Sequence, residues 1–154
     1  MGLSLGQRWG LWWRRCLSGL YDGLLLLAVW VAVTLLVLMA HGGRAVVPGE
    51  ALHPWYVGSL WAFTGAFFIF FWSRAGETLG MRAWGLRVVA NNDKPPSPGC
   101  ASRRLLAMLL GLGLGGAGIL WGLVDRQGAM LHDRLAGTRV VRLSRKHPDR
   151  KRRA

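Results

Sequence analysis

The chain has 154 residues, of which 52% are hydrophobic, and a formal net charge of +13. Its apolar residues are concentrated in three uncharged blocks of 18 to 20 residues, at positions 23–40, 55–72 and 105–124. A helix needs about 20 apolar residues to cross the hydrocarbon core of a bilayer. The composition therefore excludes an ordinary soluble globular protein and predicts an integral membrane protein.

The large positive charge has an explanation within this membrane class. In a soluble protein it would indicate nucleic acid as the partner, but here the basic residues flank the apolar blocks, where the positive-inside rule expects them. We therefore expect the lipid bilayer and anionic lipid head groups as partners, and no nucleic acid. Cys16 and Cys100 both fall on the side assigned to the cytosol, so no disulfide is expected.

The N-terminal segment, residues 1–15, is basic and rich in tryptophan, which is typical of a segment lying at the membrane interface. The first apolar block extends back to Cys16 if Asp22 is tolerated inside it. That block is too long for the apolar part of a signal peptide, it contains an acid and further apolar blocks follow it. We therefore predict an uncleaved first transmembrane helix.

The distribution of Lys and Arg predicts the orientation. Three precede the first block, one (Arg44, balanced by Glu50) lies between the first and second, six lie between the second and third, and ten follow the third. Only the loop at 41–54 is poor in positive charge, so it is predicted to lie outside. The N-terminus, the middle segment and the basic tail are predicted to be cytosolic, in a bacterial-type inner membrane.

Three full crossings would place the basic tail outside, which conflicts with this distribution. The third block is the one that can resolve the conflict, because six of its residues between positions 111 and 122 are glycines. Each glycine lowers helix stability by about 1 kcal/mol relative to alanine. The cluster predicts a turn and a re-entrant helical hairpin. The alternative is one glycine-rich helix that packs closely on its neighbours.

Two short β-branched segments favour the hairpin. Residues 85–89 (GLRVV) and 137–141 (GTRVV) flank the third block, and a loop rich in Asn and Pro at 91–98 follows the first of them. Each segment is the natural strand partner of the other. Their pairing would place both ends of the third block on one side of the membrane.

One further set of residues resembles a known family. The segment from Arg15 to Asp22 is followed by TLGMRAWGLRVV at 78–89, by Ser97, by Arg103–Arg104 and by LHDRLAGTRVV at 131–141. In this order the set resembles the RDD family of small multi-pass membrane proteins, over almost the whole chain. The HDRLAGT segment, with His132, Gly137 and Thr138, is its most specific part.

The resemblance implies that Arg15, Asp22 and Asp133 are the residues after which the family is named. The family often has a lysine after the glycine of the TLG segment, whereas this chain has Met81 followed by Arg82. Transport of unidentified ligands, including cation–proton exchange, is proposed for the family, and some relatives resemble accessory subunits of membrane quality-control assemblies. The resemblance therefore implies a transport-related function or, alternatively, an accessory subunit of a larger complex.

The charged residues themselves allow two interpretations. Asp22 inside a membrane helix either binds a cation or proton or is a paired group that fixes helix packing. We predict one polar cluster at the cytosolic face that contains Arg15, Asp22, Asp133 and one arginine of the pair Arg103 and Arg104. His132 beside Asp133 could be a general base, but no nucleophile motif accompanies it, so we expect no enzyme, no cofactor and no metal site.

The predicted fold is an all-α membrane protein with two transmembrane helices, a glycine-rich re-entrant third block and a small cytosolic two-stranded β element. The expected divisions are an interfacial segment at 1–15, an RDD-like membrane domain at 16–141 and a basic, disordered tail at 142–154. Two spans and a hairpin are few for a transport pathway, so we expect a homo-oligomer or a larger membrane complex.

Overall fold

A computed structural model describes residues 4–143, and the predicted tail therefore lies outside the described residues from position 144 onwards. The described chain is mostly helical. Its elements in chain order are α1 (Leu5–Ala40), α2 (His53–Arg74), α3 (Leu79–Ala83), β1 (Leu86–Ala90), α4 (Pro98–Gly113), α5 (Ala117–Val124), α6 (Leu131–Ala136) and β2 (Thr138–Arg142).

Helix α1 is longer than the apolar block that it contains. It begins with a capping box, in which the side chains of Ser4 and Gln7 each bond to the other's backbone N–H. Its 36 residues make a helix about 54 Å long, whereas the hydrocarbon core is about 30 Å thick. Residues 5–15, expected as an interfacial segment, are the first turns of this same helix, so α1 is longer than a span of the hydrocarbon core requires.

Helices α1 and α2 form an antiparallel pair, and both are long and apolar enough to cross a membrane. The indole N–H of Trp30 donates to the Thr64 hydroxyl at 3.0 Å, and the hydroxyls of Thr34 and Tyr56 bond 2.5 Å apart. Away from this contact the helices expose large apolar side chains, as lipid-facing helices do. On α1 these include Leu20, Leu24, Leu27, Val31 and Leu35.

The third apolar block is broken in its glycine cluster, as the sequence predicts. The chain bends by 100° between helices α4 and α5, and together the two helices are long and apolar enough to count as one broken span or a re-entrant loop. The turn passes through Gly115 (φ +66°) and Gly116 (φ +81°), a backbone conformation that favours glycine. A Cβ on Gly111 would lie 3.2 Å from the Cα of Gly118, so the two arms approach backbone to backbone.

The far end of this block returns to the beginning of α1. The Arg8 guanidinium donates to the carbonyl oxygens of Leu123 and Val124 at 3.5 and 3.4 Å, which places a positive charge at the C-terminus of α5. The indole N–H of Trp12 donates to the carbonyl oxygen of Ile119 at 3.0 Å. The end of α5 is therefore fastened to the N-terminal turns of α1.

The two predicted strands pair, which confirms the small two-stranded sheet. β1 and β2 are antiparallel, and Val88 lies opposite Val140 in their register. Leu86 and Val88 are fully buried and pack with Trp72 from the end of α2. The sheet therefore closes one end of the helical bundle, the end at which α2 finishes and α4 begins.

Candidate functional site

The candidate site is centred on Asp133, in the first turn of α6, whose side chain is 0% exposed. Arg15 of α1 donates to its Oδ2 atom at 2.5 Å, and Arg104 of α4 donates to its Oδ1 atom. The backbone N–H of Met130 adds a third donor at 2.9 Å. One carboxylate therefore joins three helices that lie far apart in the sequence.

The two arginines use their remaining donors on other polar groups of the same region. Arg15 donates to the carbonyl oxygen of Gly128 at 3.2 Å, and Arg104 donates to the hydroxyl of Thr138 at 2.7 Å. The Arg104 guanidinium also stacks on Trp72, 5.0 Å from the ring centroid. Both guanidiniums are thus held in fixed positions by several contacts.

The electrostatics of this network follow from its two positive charges. Burial alone would raise the pKa of the Asp133 carboxyl, but the adjacent charges of Arg104 and Arg15 hold that pKa well below its usual range. Burial, together with the charge of Arg104, lowers the pKa of His132 to about 3. His132 is therefore neutral, and its Nε2 atom accepts a hydrogen bond from Arg15, a group that can only donate, at 3.4 Å.

Asp22 is bound by different partners. Its side chain is 2% exposed, and it accepts hydrogen bonds from the Thr78 hydroxyl at 2.5 Å and from the backbone N–H of Gly80 at 2.8 Å. Both donors are neutral and come from the start of α3. Among the described residues, no arginine or lysine forms an ion pair with this carboxylate.

The direct partners of Asp22 are therefore neutral groups of α3 and not an arginine of the predicted cluster. The physical reason is the close packing of α3 on α1: a Cβ on Gly80 would overlap the carbonyl oxygen of Ser18 and lie 2.9 Å from the Asp22 carboxyl group. Only glycine permits this approach, which brings the first turn of α3 directly onto the carboxylate.

Asp22 and the arginine network nevertheless face one cavity, of about 300 Å³, which we call the Asp22 cavity. Asp22, Arg15, Arg104 and His132 are among its polar lining residues, and Trp72 is among its apolar ones. The cavity thus contains the Asp22 carboxylate, which has no direct cationic partner, and the guanidiniums of Arg15 and Arg104, which both bind the carboxylate of Asp133.

The sequence profile of the RDD family matches residues 9–137 of this chain. The chain belongs to the RDD family. The matched range includes α1 from its second turn, α2, both arms of the third block and all of α6. No curated protein and no solved structure matches the chain.

The remaining predicted residues of this RDD chain lie around the site. Arg103 is exposed, whereas its neighbour Arg104 is buried and binds Asp133. Gly137 ends α6 with a φ of +63°, which turns the chain into β2 and places Thr138 against Arg104. Within residues 4–143 no group of three or more His, Cys, Asp or Glu side chains is placed to hold a metal ion.

Sequence reasoning missed the residues that bind Asp22 and stack on Arg104. Thr78 and Gly80 belong to the TLG segment of this RDD chain, and a threonine before a helix is a cap signal that could have drawn attention to them. No comparable signal identifies Trp72 as the residue beneath Arg104, because tryptophans at block ends are expected at the membrane interface.

Proposed function

We propose that this RDD-family chain is a multi-pass inner-membrane protein that exchanges protons at Asp22. The observation that carries the proposal is the carboxylate itself, which is 2% exposed in a helix that can span the membrane and is held by two neutral donors. Ionisable residues inside a membrane are costly, and they are functional candidates by default.

The surroundings of Asp22 favour a proton over a larger cation. Arg15 and Arg104 line the same cavity, and together they carry one more positive charge than Asp133 balances. This residual charge disfavours any added positive charge, so the preference for a proton rests on the ligands that are present. Within residues 4–143 no group of three or more His, Cys, Asp or Glu side chains is placed to hold a metal ion, whereas a proton needs only the carboxylate itself and can be passed along hydrogen bonds.

The topology proposed for this function has both termini in the cytosol and the third block re-entrant. In support, two contacts reach the first turns of α1. Arg104 of α4 shares the Asp133 carboxylate with Arg15 of α1, and the carbonyl oxygens at the end of α5 accept from Arg8 of α1. Both ends of the third block thus meet the same end of α1. Reporter fusions at Met1 and Ala154 test this topology, and opposite locations for the two ends would overturn it.

Proton movement can be measured in proteoliposomes that contain a pH-sensitive dye and carry an outward K⁺ gradient with valinomycin, so that K⁺ leaving through the ionophore balances the charge of the entering protons. We expect gradient-driven proton movement with the wild-type protein and its loss with Asp22→Asn, which keeps a hydrogen-bond acceptor but cannot ionise. Asp93→Asn is the matched control, because the Asp93 side chain is 74% exposed and outside the spanning helices. Wild-type flux equal to that of empty liposomes would overturn the proposal.

The alternative is a non-catalytic accessory subunit of a larger membrane complex. Cross-linking in native membranes distinguishes the two functions. A carrier built from so few spans is expected to cross-link to copies of itself, whereas an accessory subunit cross-links to other chains.

A further inference from the structure

A groove lies between the first turns of α1 and strand β2, outside the Asp22 cavity. Its volume is about 530 Å³, and we call it the α1–β2 groove. It is lined by Gln7, Gly10, Leu11, Arg14, Gln127, Val140, Val141 and Arg142.

The groove has an apolar floor and a polar rim. Its α1 residues are spaced at i, i+3, i+4 and i+7 from Gln7, so they share one face of the helix. A Cβ on Gly10 would have no neighbour within 4 Å, which shows open space above this part of the floor. Arg14 and Arg142 belong to the rim, one from the helix and one from the strand.

The two rim arginines carry positive charge that no nearby acid balances. Neither Arg14 nor Arg142 forms an ion pair with any carboxylate within residues 4–143. A second cavity of about 530 Å³ shares Gln127 and Val140 with the groove. Its exposed arginines are balanced, because Arg134 is paired with Asp125 and Arg139 with Asp93. The α1–β2 groove is therefore the part of this surface that attracts an anion.

The position of the groove along α1 matches the head-group layer of a bilayer. Arg14 lies two residues before Cys16, where the apolar run of α1 begins, and it follows Trp12 and Trp13 directly. Tryptophan rings concentrate at the level of the lipid head groups. The ligand nearest to this groove in a membrane is therefore a phospholipid.

We propose that the α1–β2 groove binds the head group of an anionic phospholipid. The guanidiniums of Arg14 and Arg142 donate to its phosphate oxygens, a geometry that suits arginine particularly well. The apolar floor at Leu11 and Val140 contacts the glycerol backbone and the first carbons of the acyl chain. A lipid held there ties the N-terminal turns of α1 to the sheet.

The proposal can be tested by native mass spectrometry of the delipidated full-length protein, titrated with phosphatidylglycerol or phosphatidylcholine. The wild type is expected to bind one phosphatidylglycerol in preference to phosphatidylcholine. The double variant Arg14→Gln/Arg142→Gln is expected to weaken phosphatidylglycerol binding about 25-fold, since each arginine near an anionic lipid contributes about a fivefold gain.

The matched control is Arg82→Gln/Arg103→Gln, which removes the same charge from two exposed arginines outside the groove. It is expected to leave the binding constant within about twofold of the wild type. Equal losses in the two double variants would show attraction by overall charge alone and would overturn the proposal. Equal binding of the two lipids by the wild type would overturn it as well.

Arg142→Glu provides a second variant at an exposed strand position where folding is expected to be retained. Reversal of this charge is expected to abolish the preference for phosphatidylglycerol. Proton flux is measured separately with Asp22→Asn, so failure of the lipid proposal leaves the proposed exchange at Asp22 unaffected.

Discussion

Arg15 and Asp133 form an ion pair at 2.5 Å, although they are separated by 118 positions in the sequence. Arg15 is in α1, and Asp133 is in α6, which follows the bent pair α4–α5. Arg104 of α4 binds the other oxygen of the same carboxylate, so Asp133 connects α1, α4 and α6 at one point. The contact fixes both ends of the third block relative to α1.

Replacement of Asp133 by asparagine is expected to lower the free energy of unfolding by about 3–5 kcal/mol, because it leaves two buried guanidiniums without their counter-charge. Thermal or chemical unfolding of the purified protein in detergent measures this loss. Asp93→Asn removes a carboxylate from the exposed pair with Arg139 and is expected to cost less than about 1 kcal/mol. Equal losses in the two variants would contradict a structural role for Asp133.

The neutral state of His132 predicts a pH dependence of stability. Burial and the charge of Arg104 lower its pKa to about 3, whereas the unfolded chain binds the proton at its usual pKa of 6.5. As the pH falls from 6.5 towards 3, His132 is therefore protonated in the unfolded state but stays neutral in the folded state. The contribution of neutral His132 to the free energy of unfolding is fully present above pH 6.5. Below that pH the free energy of unfolding is expected to fall by up to about 1.4 kcal/mol per pH unit.

His132→Gln separates this contribution from that of Asp133. Glutamine still offers an acceptor to Arg15 but does not titrate. The free energy of unfolding is therefore expected to depend less on pH between pH 6.5 and 4.5 in this variant than in the wild type. The Asp133 carboxyl has a pKa held below its usual value, so its contribution is lost only at still lower pH. An unchanged slope in the variant would refute the assignment of the pH dependence to His132.

Much of this architecture could be predicted because it depends on composition along the chain. The apolar blocks, the glycines at the bend and the paired GLRVV and GTRVV segments are local patterns with few structural solutions. Arg15, Arg104 and Asp133 were expected near one boundary because each flanks an apolar block, and the structure places them in contact.

The partners of Asp22 were not predictable in the same way. One of its two donors is a backbone N–H, which every residue except proline possesses, so the sequence does not mark Gly80 as a partner. The continuity of α1 was also missed, since a basic, tryptophan-rich segment has the same pattern whether it lies on the membrane or extends a spanning helix. The contacts of Arg8 and Trp12 with α5 hold this first part of α1 in place, and they are visible only in the folded chain.

The packing of α3 on Asp22 predicts a specific sensitivity at Gly80. Gly80→Ala is expected to lower the free energy of unfolding by about 1–3 kcal/mol, because its Cβ meets the backbone carbonyl of Ser18 and the two helices must separate. Gly99→Ala in α4 is the control, since a Cβ there has no neighbour within 4 Å. A Gly80 variant as stable as the Gly99 variant would contradict the close contact between α3 and α1.

The bend of the third block predicts opposite effects for neighbouring glycines. Gly115→Ala/Gly116→Ala places side chains at two positions with positive φ and is expected to cost about 2–4 kcal/mol, or about 1–2 kcal/mol for each residue. Gly113→Ala, in the last turn of α4 with open space around its Cβ, is expected to stabilise the protein by up to about 1 kcal/mol. Thermal unfolding in detergent compares the variants. If the double variant were stabilised like Gly113→Ala, the block would favour one continuous helix, and the bend that brings α5 back to Arg8 would be refuted.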